Sequence, residues 1–527
     1  MQSFALQPLR SAEGRGKARS QIQLLPLGNG GKRKALGLQF NYDNVYGCTI
    51  HWETELPVDG SQVDVLMVGG GFSGTMLAVH LLRNSSSLSV AVVDRGTLPG
   101  RGLAYSTPHR FHLLNEPAGE MSAWPNAPND FLSWARIHYD AALQARSFPP
   151  RSVYGAYVGD LLETTLADCG RERFRWIQDE ALSLHRRRGK LAVQTKAGPE
   201  LRARAVVLAT GDLPSANPRM PGLKASAGLY FESPLASDAL ADLPAGGSVL
   251  LVGSGLTSVD LIMALKSKGF HGVIHVLSRQ GLFPRPRRHE RQAESWPLFW
   301  DETSPRNVRG LLRLIRNQVR AAAEKGIDWR GAIDSLRPVT QDIWRSLPLA
   351  EQKRFLRHAR AYWDVHRHRL APEIGDVLAD MQSEGQVRIH TGPILRYREE
   401  RDHAEVHYCD RESRSEKVLQ VSRVINCTGS ESDYRRIEES FIISMFVQGF
   451  AQPDPVFLGL DVDEHGALID HRGNSSQGLY AIGPTRKGCL WETTTVPEIR
   501  VQAATLGQWL AEALGHRSRS RDVLKTA

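Results

Sequence analysis

Gly69-Gly70-Gly71-Phe72-Ser73-Gly74 follows the apolar run Val63-Asp64-Val65-Leu66-Met67-Val68, and Gly253-Ser254-Gly255-Leu256-Thr257-Ser258 follows Val249-Leu250-Leu251-Val252. Each reads as a strand, a tight glycine turn and an apolar helix, an order that aims helix N-terminal N–H groups at an anion. Gly69 makes the first turn, Gly71 lets the backbone approach phosphates, and Gly74 allows close helix–strand packing. The next strand, Ser89–Val93, ends in Asp94, 20 residues after Gly74, where a carboxylate can accept hydrogen bonds from a ribose. In the second turn Gly253 and Gly255 repeat the first two roles, and the small Ser258 takes the third. The following strand, Gly272–Leu277, ends in Ser278-Arg279 with no acid. An arginine there suits a 2′-phosphate, which favours NADPH over NADH as the second dinucleotide, with NADH as the alternative. One such turn is weak evidence; two imply two dinucleotide sites, whose natural chemistry is electron transfer between them.

The elements that must position these turns point to FAD at the first. Val206-Val207-Leu208-Ala209-Thr210-Gly211 and Val424-Ile425-Asn426-Cys427-Thr428-Gly429 are apolar strands ending in Thr-Gly, as expected where a chain crosses between two dinucleotide domains. Gly478-Leu479-Tyr480-Ala481-Ile482-Gly483 is another short strand ending in glycine. It precedes a helix over Pro497–Ala513 whose free N–H groups are expected to face the flavin. The residue after Gly483 is Pro484, where many flavoproteins have an Asp. Asn115 and Glu116 fall where the chain leaving the first two strands passes the flavin. Trp491, Glu492 and Thr493 come just before the last helix, and Trp491, Thr493, Thr428, Gly429 and Gly483 join Asn115 as expected cofactor contacts. No acid–base dyad is legible, and His109 is only a candidate proton carrier.

Four stretches make the chain resemble the FAD/NAD(P)-binding family that contains bacterial FAD-dependent urate hydroxylases and aspartate N-monooxygenases. They are Gly102-Leu103-Ala104-Tyr105-Ser106-Thr107-Pro108-His109 with His112-Leu113-Leu114-Asn115; Val252–Asp260; Tyr362-Trp363-Asp364-Val365-His366-Arg367-His368-Arg369; and Leu490–Arg500. The resemblance runs from about residue 62 to 515. It implies a flavin monooxygenase that passes one oxygen atom of O2 to a small-molecule substrate, and it leaves the substrate open. The runner-up is an FAD-dependent NAD(P)H reductase or oxidase without oxygen transfer, and a non-catalytic flavin-binding regulatory protein is the third reading.

The five cysteines include no CxxC and no pair beside the first turn, which argues against a disulfide reductase and for a reducing cytoplasm. No metal-ligand spacing stands out. Net charge is +9, but residues 1–42 carry seven Lys or Arg against Glu13 alone, so most of the excess sits in an arm and nucleic-acid binding is a poor reading of it. No run of about 20 apolar residues spans a membrane. The Arg-rich, acid-poor arm leaves an organellar transit peptide as the alternative to a cytoplasmic protein. The expected fold class is α/β, two Rossmann-like dinucleotide-binding domains with a helical insertion. Residues 1–61 are read as a disordered basic arm, 62–240 as the first part of the FAD domain and 241–295 as the NAD(P) domain. Residues 296–385 are a Trp-containing helical insertion where substrate is expected, 386–515 a return to the FAD domain, and 516–527 a polar tail. Oligomeric state is not legible.

Overall fold

The computed structural model describes residues 62–523 except 188, 219, 225–227, 237, 245 and 290–294, with backbone alone for 516–523. The expected basic arm, 1–61, lies outside the described residues. The chain runs β1 (Gln62–Val68), α1 (Phe72–Asn84), β2 (Val90–Asp94), α2 (Gly102–Tyr105), α3 (Asp130–His138), α4 (Arg151–Cys169), β3 (Phe174–Gln178), β4 (Ala181–Arg187), β5 (Lys190–Thr195) and β6 (Leu201–Leu208). Next come β7 (Tyr230–Phe231), β8 (Ser248–Val252), α5 (Leu256–Ser267) and β9 (Val273–Ser278). Six helices follow: α6 (Val308–Glu324), α7 (Trp329–Asp334), α8 (Thr340–Ser346), α9 (Leu349–His358), α10 (Arg360–Arg367) and α11 (Pro372–Ser383). The chain ends through β10 (Val387–Thr391), β11 (Ile394–Glu399), β12 (Ala404–Cys409), β13 (Glu416–Val421), β14 (Arg423–Asn426), α12 (Ser440–Val447), β15 (Ala467–Ile469), β16 (Ser475–Ala481) and α13 (Val496–Val523).

The first sheet has the order β15-β16-β6-β1-β2-β3, parallel from β16 to β3, with β4 and β5 as an antiparallel flap on β6. A parallel strand covered on both faces needs a continuous apolar run, and β1 has one: Val65, Leu66 and Met67 are fully buried. Helices α1, α4 and α13 cover one face, where Met76, Leu77, Tyr154, Tyr157, Ala503 and Leu510 share a core. Each fully buried Leu or Met there contributes about 1.5–3 kcal/mol.

The second sheet, β10-β9-β8-β14-β7, is parallel throughout, with β8 held between β9 and β14. This pairing departs from the expected division. β7 joins the second sheet ahead of residue 241, and β10 and β14, expected in the returning FAD domain, complete the second sheet instead. The antiparallel sheet β11-β12-β13 packs on it through Tyr397, Val406 and Tyr408 against Leu250 and Val252. The chain rejoins the first sheet only at β15 and β16. Sequence gives the apolar run of β14 but not its partner, because a strand's neighbour is chosen by contacts far away in the chain. Ser215 bridges Ser430, so the outward and return crossings run side by side.

The insertion is helical as expected, with adjustments. The stretch read as one helix over Ala350–Trp363 is two, α9 and α10, meeting at Ala359. Helix α11 belongs to the second domain, packed on α5 and leading into β10, the crossover that two parallel strands require. Helix α13 continues through Val523, beyond the expected end near Ala513.

Candidate functional site

At the first turn Gly69 has φ +106°, and a Cβ there would overlap the Ala209 carbonyl oxygen; one on Gly74 would overlap the Gly69 carbonyl. Both glycines are therefore demanded by the protein itself. Gly71 is different: its Cβ would meet only Gly102 Cα, at 3.4 Å. Gly71 is also the N-cap of α1, whose first turn has no side-chain cap and no acid, so its free N–H groups and dipole suit an anion. Asp94 closes the side of the turn, its two oxygens accepting from Gly70 N and Gly96 N at 2.6 Å each. A carboxylate has lone pairs left for ribose hydroxyls after two such bonds.

The second turn repeats the construction. Gly253 has φ +117°, and a Cβ would overlap the Cys427 carbonyl oxygen, while a Cβ on Gly255 would meet nothing within 4 Å. Gly255 is the N-cap of α5, again uncapped and without an acid in the first turn. Buried Ser258 stands for the third glycine, its hydroxyl donating to the Gly253 carbonyl at 2.7 Å. The place of Asp94 is taken by Ser278, which receives the Ser254 hydroxyl at 2.8 Å and the Gly281 N–H at 2.9 Å. Arg279, next to it, is exposed. The two Thr-Gly strand ends hold matching positions. Ala209-Thr210-Gly211 crosses over Gly69, and Cys427-Thr428-Gly429 crosses over Gly253, with the Thr428 hydroxyl donating to the Ala216 carbonyl at 2.8 Å. Thr428 and Gly429 thus border the second turn.

Gly483, at φ +77°, ends β16 against the first turn of α1, where a Cβ would lie 2.6 Å from Ser73 Oγ. Its N–H donates to Gln502 Oε1 at 3.1 Å, and the Thr493 hydroxyl donates to its carbonyl at 3.3 Å. The first turn of α13 already holds Glu498, which Thr495 donates to and which faces Arg337 and Arg367. The helix dipole is therefore partly used by the protein's own carboxylate. Trp491 points into the helical insertion, stacked on Trp344 at 5.0 Å between centroids. His109 packs beside His112, whose Nε2–H donates to the Asp260 carbonyl at 3.0 Å while Thr107 donates to Nδ1 at 2.6 Å. Burial pushes the His112 pKa down. Arg151 of α4 grips the Asp260 carboxylate of α5 with both terminal nitrogens, at 2.8 and 3.1 Å, fastening the two dinucleotide domains together.

One feature escaped the sequence: a buried ionic cluster joining Glu116, just after the first resemblance stretch, to the third and fourth stretches. Glu116 accepts from Arg287 and, at 3.4 and 3.5 Å, from Arg337 and Arg367. Arg367, 1% exposed, also donates to Glu492 at 3.0 Å, and Glu492 takes the Trp363 indole N–H at 2.5 Å. Burial alone would raise the Glu116 pKa, but the three guanidinium groups outweigh it and hold it at about 2. Glu492 sits at φ +66°, a conformation that costs a non-glycine residue about 1–2 kcal/mol. Its two donors, buried Arg367 and partly buried Trp363, hold it there. The only sequence signal was the unusual density of Arg and His in Tyr362–Arg369.

The fold and these turns define an α/β protein with two Rossmann-like domains, each carrying a glycine turn. Residues 66–213 match the family model described as FAD-NAD(P)-binding. No curated protein matches the chain in sequence. Among solved structures the chain is similar to the ornithine N-hydroxylase of Kutzneria sp. 744, solved with reduced FAD, NADP+ and L-ornithine. The identity is 15%, over 87% of this chain and 100% of that one, with a TM-score of 0.60. It is also similar to the FAD-bound cadaverine monooxygenase of Erwinia amylovora, at 16% identity over 85% and 94%, TM-score 0.59. The L-lysine 6-monooxygenase of Pseudomonas syringae follows, at 16% identity over 86% and 99%, TM-score 0.57. The shared fold spans both dinucleotide domains. No helix among the described residues is long and apolar enough to cross a membrane.

Proposed function

We propose that the chain holds FAD at the β1–α1 turn and NADPH at the β8–α5 turn, and that it is an FAD-dependent monooxygenase of a small molecule. The observation that carries the reading is the repeated turn. In both, the first glycine is fixed by a crossing carbonyl, while the middle glycine is the N-cap of a helix without a side-chain cap and has no close clash of its own: a Cβ would meet nothing at Gly255 and only Gly102 Cα, at 3.4 Å, at Gly71. The activities named for the three similar structures support the choice of monooxygenase. The overall reaction would consume substrate, O2, NADPH and a proton, and release hydroxylated substrate, water and NADP+. Bound FAD would supply the electron transfer and the oxygen chemistry. The chain's own part would be placement: the α1 N-terminus and Asp94 on the FAD pyrophosphate and ribose, and the α5 N-terminus with Arg279 on NADPH. The Arg151–Asp260 pair would keep the two cofactors in register. Gly483 and Thr493 would border the flavin, with Asn115 on the opposite loop. The absence of a cysteine pairing motif supports a reducing compartment, the cytoplasm.

The test is anaerobic reduction of the FAD-loaded protein by NADPH, then admission of oxygen with candidate substrates present. Loss of the oxidised-flavin absorbance, followed by one hydroxylated product per NADPH, is the expected result. Reduction followed by hydrogen peroxide as the main product with every substrate would favour the reductase or oxidase instead. A flavin that NADPH and NADH both leave oxidised would sink the redox reading altogether.

A further inference from the structure

The helical insertion forms a half-open cavity of about 760 Å³ that neither dinucleotide turn uses. Helix α6 supplies one wall through Leu311, Leu312, Ile315 and Val319; Trp300, Trp329, Trp344, Trp363 and Trp491 supply others. The volume is that of a pocket for a drug-sized molecule. What distinguishes it is the sign of its polar groups. Arg316, Arg320, His358 and His366 line it, and among the described residues no Asp or Glu does. Two carboxylates on the surrounding helices are engaged elsewhere: Glu351 accepts from the Val308 N–H at 2.8 Å, and Asp364 pairs with Arg360 at 3.3 Å.

The indole groups agree with the charges. Trp344 donates to the Gly488 carbonyl at 2.7 Å and Trp363 to Glu492, but the buried N–H groups of Trp300 and Trp491 have no acceptor among the described residues. Each such donor can be satisfied by an acceptor from outside the chain, a bound anion among them. Cations also flank these rings, Arg306 at 4.9 Å from the Trp300 centroid and Lys487 at 5.8 Å from that of Trp491. An ammonium-bearing chain would meet cations here and find no carboxylate. The basic residues 1–42 are unsuited as an occupant for the same reason.

We propose that this cavity binds an aromatic or long-chain carboxylate, with its apolar body among the tryptophans and its anionic end toward Arg316 and Arg320. Resting on the monooxygenase reading, the ligand is the substrate: Trp491 of the cavity wall lies two residues before Thr493, which bonds to Gly483 at the closing edge of the first turn. This departs from the amine-bearing molecules named for the similar structures.

The experiment titrates the FAD-loaded full chain with 2-naphthoate, decanoate and 2-naphthylmethylamine, following tryptophan fluorescence and NADPH oxidation together. Expected are saturable binding of both carboxylates, a Kd for naphthoate at least tenfold below that of the amine, and faster NADPH oxidation with a hydroxylated carboxylate as product. Leu312→Trp, which fills the cavity from α6, and Arg316→Glu, a surface change that leaves folding intact, should each raise the naphthoate Kd at least tenfold at unchanged FAD content. Equal or tighter binding of the amine, or no saturable binding of either carboxylate, overturns the site. Tight carboxylate binding without any change in NADPH oxidation overturns its assignment to the substrate. Failure of the monooxygenase reading would show separately, as a flavin that NADPH leaves oxidised with or without naphthoate.

Discussion

Gly255 faces free space and Gly71 meets only the Gly102 backbone at van der Waals distance, whereas Gly69 and Gly253 face a carbonyl oxygen, and that difference yields a test. Gly71→Ala should fold and lose FAD affinity, because its β-carbon is in ordinary contact with Gly102 Cα at 3.4 Å yet intrudes on the space where a phosphate would approach the turn. Gly255→Val should keep FAD and raise the KM for NADPH about tenfold or more, a loss of about 1.4 kcal/mol in binding. Flavin content after purification and steady-state kinetics check both, and a Gly71→Ala protein that binds FAD as tightly as the wild type would remove the first-site assignment. Exposed Arg279 beside Ser278 makes a separate prediction. Arg279→Ala should weaken NADPH far more than NADH, since only the former carries the 2′-phosphate; equal effects on the two coenzymes would refute it.

At the scale of elements, the fit between α4 and α5 decides whether two nucleotide domains act as one body. Asp260→Ala leaves the half-buried Arg151 without its bidentate partner and should destabilise the protein by about 2 kcal/mol. A lowered Tm together with slower flavin reduction by NADPH would show the domains loosening. A lowered Tm with unchanged reduction would confine the pair to stability. The insertion helices illustrate what periodicity can and cannot say. The stripe of Leu311, Leu312, Ile315 and Val319 on α6, opposite Arg309 and Arg313, is legible as an amphipathic helix. That the stripe borders a cavity and not a filled core depends on where α7 to α10 stop. Trp491 shows the same limit: its position just before the last helix suggested a cofactor contact, but the turn at Glu492 sends its ring into the insertion.

For the whole molecule, the buried cluster around Glu116 ties the loop after β2 to the insertion and to the start of α13. Glu116→Gln would leave Arg287, Arg337 and Arg367 short of a counter-charge in a buried site, at a cost of about 3–5 kcal/mol near neutral pH. Its folded pKa, about 2, lies below the ordinary 4.5. The stability it contributes is therefore present above about pH 4.5 and lost as pH falls toward 2. The gap between wild type and Glu116→Gln in denaturant titrations should be full at neutral pH and shrink below that value; a gap independent of pH would contradict the charge argument. Both glycine turns, their helices, Asp94, the missing acid at Ser278 and the helical character of the insertion were determined by local sequence. Turns, caps and apolar periods are short-range properties, fixed by residues a few positions apart. Tertiary structure alone decided that β10 and β14 complete the second sheet, that arginines from 287, 337 and 367 meet at Glu116, and that five tryptophans surround a donor-lined cavity. Each of these joins residues far apart in the chain, and such contacts are selected by packing of the whole fold, which no local pattern encodes.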